Sequence, residues 1–189
     1  MANFIALYDA CVLYPAPLRD LLMHLAMADL YRAKWTNEIH DEWIRNVLKN
    51  RPDLTKNQLE RTRELMNENT RDCLVEGYDK LISVLILPDP NDRHVLAAAI
   101  RSSASVIVTF NLKDFPEKNI KEYGIEAQHP DDFVMHLLDI SPSMVCAAVH
   151  RLRTGLKRPP MNVSEYLECL EKQSLPKTVN KLEEYRDEI

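Results

Sequence analysis

The chain has 189 residues, which suits one domain with an appendage. Hydrophobic residues make up 46 % and charged residues 28 %, a balance that folds and excludes a disordered chain. The formal net charge of −5, from 24 basic and 29 acidic residues, argues against a generally basic nucleic-acid coat protein. Along the chain, residues 4–8 are a short apolar run ending at Asp9 and predict a buried strand. Pro15 and Pro17 mark a helix entry, and Leu18, Leu21, Leu22 and Leu25 set a helical stripe that runs to about Tyr31. A second short strand fits residues 33–35. Thr36 is a plausible N-cap for a helix over 37–49, with Ile39, Trp43, Val47 and Leu48 on its buried face and Pro52 beyond it.

Thr55 and Gln58 have capping-box spacing and open a long polar helix to about Cys73. Its charged stretch over residues 60–68 reads as a solvated face or part of a hairpin that touches RNA or a partner. Residues 82–87 are apolar and partly β-branched, and predict another buried strand. The run Pro88-Asp89-Pro90-Asn91-Asp92 then turns the chain into an alanine-rich helix over 93–102. Residues 106–110 predict a third apolar strand, 125–128 a short edge strand, and 130–138 a helix. After Leu138 no strand pattern remains: Ser141 is placed to cap a helix to about Thr154, Ser164 another to about Leu175, and the rest is helical and charged. Apolar strands alternating with helices predict an α/β fold with a mostly parallel sheet covered on both faces, over residues 1–138, and a helical C-terminal extension over 139–189.

Other features exclude whole classes. The three glycines form no GxGxxG or GxxxxGKS/T loop, so any phosphate must be held by other means. The four cysteines form no CxxC pair and read as small core residues. The start lacks the basic segment of a signal peptide, and no stretch of 18 apolar residues exists to span a membrane, so a reduced, soluble, cytoplasmic protein is expected. The six histidines have no zinc spacing; His40 and His94 lie near acidic segments but read as partly exposed helix residues.

The informative pattern is acids at strand ends. Asp9 ends the first strand, Asp89 and Asp92 follow the 82–87 run, and Asn111 and Asp114 follow the 106–110 run. In a parallel sheet these ends share one edge, where such folds bind ligands. Carboxylates gathered there repel, and a hard divalent cation removes that cost; all-oxygen ligation suits Mg²⁺ or Mn²⁺. Each acid taken singly is also an ordinary turn or cap residue.

Three segments resemble the acidic motifs of PIN-domain ribonucleases, and more closely those of VapC-type toxins of toxin–antitoxin systems. They are Tyr8-Asp9-Ala10-Cys11-Val12-Leu13-Tyr14-Pro15, Leu87-Pro88-Asp89-Pro90-Asn91-Asp92-Arg93-His94-Val95-Leu96-Ala97-Ala98-Ala99, and Ile107-Val108-Thr109-Phe110-Asn111-Leu112-Lys113-Asp114-Phe115. The likeness covers roughly residues 3–138, and the tail is similar to the C-terminal extension of one VapC subgroup. It implies a PIN-like three-layer α/β/α fold and a metal-dependent endoribonuclease, with RNA as substrate, an antitoxin as inhibitor and a homodimer as assembly. Its implied catalytic residues are Asp9, Glu42, Asp92 and Asp114, with Asp9, Asp92 and Asp114 as ligands of Mg²⁺ or Mn²⁺.

Glu38 and Glu42 share a helix face, so spacing leaves both open as the second acid; the pattern favours Glu42. Asn111, Thr109 and Asp89 stand as supporting or substrate-orienting residues. Arg151, Arg153, Lys157 and Arg158 form a basic cluster that could meet RNA phosphates or simply complete a helix end. Residues 1–138 hold 16 basic and 21 acidic residues and residues 139–189 hold 8 of each, so the whole acid excess lies in the α/β part. A housekeeping RNA-processing or DNA-acting nuclease and a non-catalytic interaction module remain as alternatives.

Overall fold

The computed structural model describes residues 4–189; residues 1–3, part of the signal-peptide reading above, lie outside the described residues. Strand β1 (Ile5–Tyr8) leads through α1 (Ala10–Leu13) and α2 (Ala16–Met27) to β2 (Arg32–Lys34). Helices α3 (Asn37–Asn50), α4 (Lys56–Asn69), α5 (Asp79–Ile82) and α6 (Arg93–Arg101) follow before β3 (Val106–Val108). Then come α7 (Glu117–Ile120), β4 (Glu126–Gln128), α8 (Pro130–Ile140), α9 (Pro142–Gly155), α10 (Val163–Glu171) and α11 (Pro176–Glu183). The strands form one parallel sheet in the order β2-β1-β3-β4.

Successive strand residues point to opposite faces. Ala6, Leu7 and Tyr8 are all fully buried, as are Ile107 and Val108, so helices must cover both faces of the sheet. The chain is therefore a three-layer α/β/α fold with a helical C-terminal region. An aromatic group fills one part of the core: Tyr31 packs edge-on against Phe133 at 4.9 Å between ring centroids, and Tyr8 stacks on Trp35 at 5.9 Å. The Tyr31 hydroxyl donates to the Leu22 carbonyl at 2.8 Å and the Tyr8 hydroxyl donates to Tyr31, so each buried phenol places its one proton.

The local signals account for most helix starts. Thr36 accepts a hydrogen bond from the Ile39 amide at 3.0 Å, and Thr55 with Gln58 closes a full capping box. Helix α10 starts earlier than expected: Asn162, not Ser164, is its cap and makes a reciprocal box with Glu165. Ser141 precedes α9 but makes no side-chain cap bond; Pro142 opens that helix instead. Helix α4 stops at Asn69, short of Cys73. It buries only Leu59 and Met66, and Arg63 bonds to Asp41 and Asn37 of α3.

One expected strand is absent. Residues 82–87 form the end of α5 and an unpaired connector. Leu85 and Leu87 are buried, but Val84 and Ile86 are 70 % and 73 % exposed. The run has the apolar content of a strand covered on both faces, yet only alternate residues reach the core. The sheet place next to β1 is taken by β3, and the connector's Ile86 carbonyl accepts from Asn119 of α7.

His40 and His94 are also more enclosed than expected: His40 is fully buried and His94 is 7 % exposed. His40 Nε2 donates to Asn67 Oδ1 at 3.1 Å, and its Nδ1 accepts from the Trp43 indole at 2.9 Å. The bond accepted by Nδ1 needs the neutral ring, and burial above all pushes the His40 pKa down to about 4.

One buried carboxylate ties α8 to α11. Asp131, in the first turn of α8, accepts from the Lys177 amide at 3.0 Å and the Thr178 amide at 2.8 Å. Those amides belong to the first turn of α11, whose own N-cap residue, Leu175, supplies no side-chain acceptor. Asp131 thus caps α11 from another helix. Among the described residues, four left-handed backbone positions are held by non-glycine residues, Asp29, Asp72, Ser103 and Ser174.

Two predictions follow from these buried groups. Asp131→Ala should lower stability by about 1–3 kcal/mol, and hydrogen exchange should show α11 opening before the sheet. The folded pKa of His40 lies below its unfolded value, so the unfolded chain takes up the proton first and stability falls as pH drops from 6.5 towards 4. Denaturant titrations should show a loss from this group of roughly 3 kcal/mol, and a shallower fall in His40→Gln.

Candidate active site

The site is built on the pairing of β1 with β3. Tyr8 lies opposite Val108 in the parallel register, so the next residues, Asp9 and Thr109, become neighbours at the same sheet edge. The Asp9 amide donates to the Val108 carbonyl at 3.1 Å and continues the ladder. Asp9 is only 4 % exposed. Its Oδ2 accepts from the Thr109 hydroxyl at 2.7 Å and from the Cys11 thiol at 3.1 Å. The Thr109 hydroxyl in turn accepts from the Asn111 amide at 2.9 Å, and Cys11 sulfur accepts from the Phe110 amide at 3.3 Å. One network therefore spans the ends of both strands.

Burial raises the pKa of the Asp9 carboxyl, the bonds from Thr109 and Cys11 oppose that shift, and the charge of Glu42 adds to it. Burial likewise pushes the Cys11 thiol well up, so Cys11 serves as a hydrogen-bond donor and not as a thiolate. Cysteine was expected here as a core residue; all four are free. The role of Cys11 could be sought only from its place two residues after Asp9, on the turn that becomes α1.

Asp92 enters from the other side. The connector after α5 leads to a 3₁₀ turn over Pro90–Asp92, and Asp89 Oδ1 caps it by accepting from the Asn91 amide at 2.9 Å. Asp89 is thus a turn-forming residue, and its arrival at the site owes nothing to a strand end. Asp92 stands just before α6, partly buried. Its pKa is raised to about 6 by burial first, and then by the charges of Asp9, Asp89, Asp114 and Glu42. Asp114, partly buried, closes the 3₁₀ turn Leu112–Asp114 that follows β3, while Asn111 is exposed.

Helix α3 packs against α1 and brings Glu42 beside this group. Glu42 bears electrostatically on both Asp9 and Asp92. Glu38, one turn earlier, is held by the Tyr78 hydroxyl at 3.2 Å. His94 stands between the two glutamates, 3.7 Å from an oxygen of each. Burial acts to lower its pKa, but Glu42, Glu38 and Asp9 outweigh it and raise it overall.

Asp92 therefore feels the charges of Asp9, Glu42 and Asp114, which come from three other sequence-distant segments, and Asp9 also feels Glu42. As they stand, no three His, Cys, Asp or Glu side chains among the described residues form a set able to hold a metal ion. The donors are nevertheless all hard oxygens, and Asp92 carries the repulsion of four neighbouring acids. Donor chemistry and uncompensated charge both fit a divalent cation such as Mg²⁺ or Mn²⁺.

The basic cluster divides. Arg153 is turned inward and donates to the backbone oxygens of Met161 and Ile189 at 3.2 and 3.1 Å. It ties the end of α9 to the C-terminal segment and is not offered to RNA. Arg151, Lys157 and Arg158 are exposed. Among the described residues no helix is long and apolar enough to cross a membrane.

Thr109 is the hinge of the network, because it both donates to Asp9 and accepts from Asn111. Thr109→Val should leave Asp9 short of a buried donor and cost about 1–3 kcal/mol of stability. Thr109→Ser keeps the hydroxyl and should recover most of it in thermal melts.

Comparison with known proteins gives three results. A PIN-domain family model matches residues 6–113, and a model described as the VapC50 C-terminal domain matches residues 130–184. The chain is 41 % identical over 97 residues to a protein of Mycobacterium tuberculosis named "Putative ribonuclease VapC50". That stretch covers 51 % of this chain and 57 % of the relative, so the chain spans somewhat over half of the relative's length. No solved structure matches. With its parallel sheet, its acids gathered at one edge and these two adjoining matches, the chain belongs to the PIN-domain family, in the VapC type that carries a VapC50 C-terminal domain.

Proposed function

We propose that this chain is a metal-dependent endoribonuclease, acting as the toxin of a type II toxin–antitoxin system. The observation that supports the reading is that Asp92 feels the charges of Asp9, Glu42 and Asp114, with Asp9 at the edge where β1 and β3 end. Asp9, Asp92 and Asp114 are proposed to hold Mg²⁺ or Mn²⁺, with Glu42 completing the charge. Such an ion supplies neutralisation of the acids and Lewis-acid activation of water and of the phosphodiester.

The chain's own residues do the rest. Thr109 and Cys11 fix Asp9 in one orientation by donating to its Oδ2. Asn111, exposed beside them and uncharged, is placed to orient a phosphate oxygen or water. Asp89 rigidifies the turn that presents Asp92. Arg151, Lys157 and Arg158 offer a positive surface for the RNA backbone. Product ends of 5′-phosphate and 3′-hydroxyl accompany this reading.

A cognate antitoxin lying across the acidic groove, a homodimer and a cytoplasmic setting belong to the same proposal. The named relative supports the ribonuclease reading through its name and its 41 % identity over 97 residues.

The test is cleavage of RNA by the purified chain with Mn²⁺ or Mg²⁺ added or chelated. Cleavage should require the metal, and Asp9→Asn and Asp92→Asn should each lower it by more than about a hundredfold. Circular dichroism should show both variants folded. Wild-type rates in both variants would sink the site assignment.

A further inference from the structure

We infer that His94 is a positioning residue: set between the two glutamates of α3, its ring holds Glu42 toward Asp9 and Asp92 and keeps Glu38 on its other side. The inference rests on the nuclease reading of the acids.

Four observations support it. His94 lies in the first turn of α6, two residues after Asp92, and is 7 % exposed. Its Nε2 is 3.7 Å from Glu42 Oε2, and its Nδ1 is 3.7 Å from Glu38 Oε2. Glu38 is already engaged by the Tyr78 hydroxyl at 3.2 Å. Nδ1 is buried and has no hydrogen-bond partner among the described residues.

A buried polar nitrogen left without a partner costs free energy, so its retention needs a reason. Here the reason is geometric. Glu38 and Glu42 lie one turn apart on the same face of α3, and nothing in helix geometry sends one to the acids and the other away. A rigid ring with a nitrogen facing each carboxylate does so. Glu38 is anchored by Tyr78 and steadies the Nδ1 side, which fixes the ring plane and so fixes where Nε2 meets Glu42. At 3.7 Å neither contact is a closed hydrogen bond, so the ring can tighten on Glu42. Glu42, and not Glu38, is the one whose charge is felt at both Asp9 and Asp92.

The experiment is a double-mutant cycle on the full chain, read by Mn²⁺ titration of the protein and by kcat and KM for RNA cleavage. The variants are His94→Leu, His94→Gln, Glu42→Gln and the His94→Leu/Glu42→Gln pair. His94→Leu should weaken Mn²⁺ binding and lower kcat by roughly 10–100-fold, with little change in KM. His94→Gln, which keeps one N–H for Glu42, should recover most of both. Because His94 acts through Glu42, the pair should lose about as much as Glu42→Gln alone rather than the product of the two losses.

Should His94→Leu fail to fold, the same cycle is run with His94→Gln, whose smaller loss must again vanish in the Glu42→Gln background. Losses that multiply, or wild-type Mn²⁺ affinity and kcat in a folded His94→Leu, overturn the inference while leaving the nuclease reading intact. A wild-type chain that neither binds Mn²⁺ nor cleaves RNA overturns both.

Discussion

Everything at the acidic edge depends on the parallel register of β1 against β3. With Tyr8 opposite Val108, the first residues past the paired strands are a carboxylate and a hydroxyl, and they meet at 2.7 Å. A shift of one residue would turn every strand side chain to the other face and pull Asp9 away from Thr109. The register is held by burial on both faces, since Ala6, Leu7, Ile107 and Val108 leave no polar side to tolerate slippage. The chemistry proposed at the edge is therefore underwritten by packing in the middle of the sheet.

Gathering acids works against folding. Asp9 is nearly buried, and Asp92 feels four other carboxylates. Three devices limit the cost: two donors on Asp9, a ring between Glu38 and Glu42, and a turn cap that uses Asp89 in its own loop. What remains is a charged edge relieved by binding a cation, so binding and stability draw on the same interactions. The C-terminal helices are attached on different terms. Asp131 spends its carboxylate wholly on the amides of α11, and Arg153 spends its guanidinium on backbone oxygens.

Much of this was legible in the chain itself. The abrupt apolar-to-acid step at Asp9, the Thr36 cap and the Thr55–Gln58 box are local signals, and each local element formed as its residues dictate. The 82–87 run misled because composition does not say which residues find a partner strand; Val84 and Ile86 face solvent. Asp92 nonetheless reaches the acids, delivered by a turn and not by a strand.

Thr109 and Asp89 stood out in the sequence as supporting residues, but the other supporting roles were not legible. Cys11, Tyr78, His94 and Asp131 act through contacts 40 to 100 residues away in the chain, or through a thiol whose type usually means core. Arg153 looked equivalent to its basic neighbours, and only its inward rotamer separates it.

The scarcity of glycine has a further consequence in the backbone. Asp29, Asp72, Ser103 and Ser174 take left-handed conformations that glycine would adopt without strain. Each costs the folded state on the order of 1 kcal/mol. A residue with a side chain, however, leaves the unfolded chain fewer conformations to lose, which returns about 0.4–1 kcal/mol at each position. At a left-handed position the strain exceeds that gain, so these four turns are held against a net local cost by the structure around them.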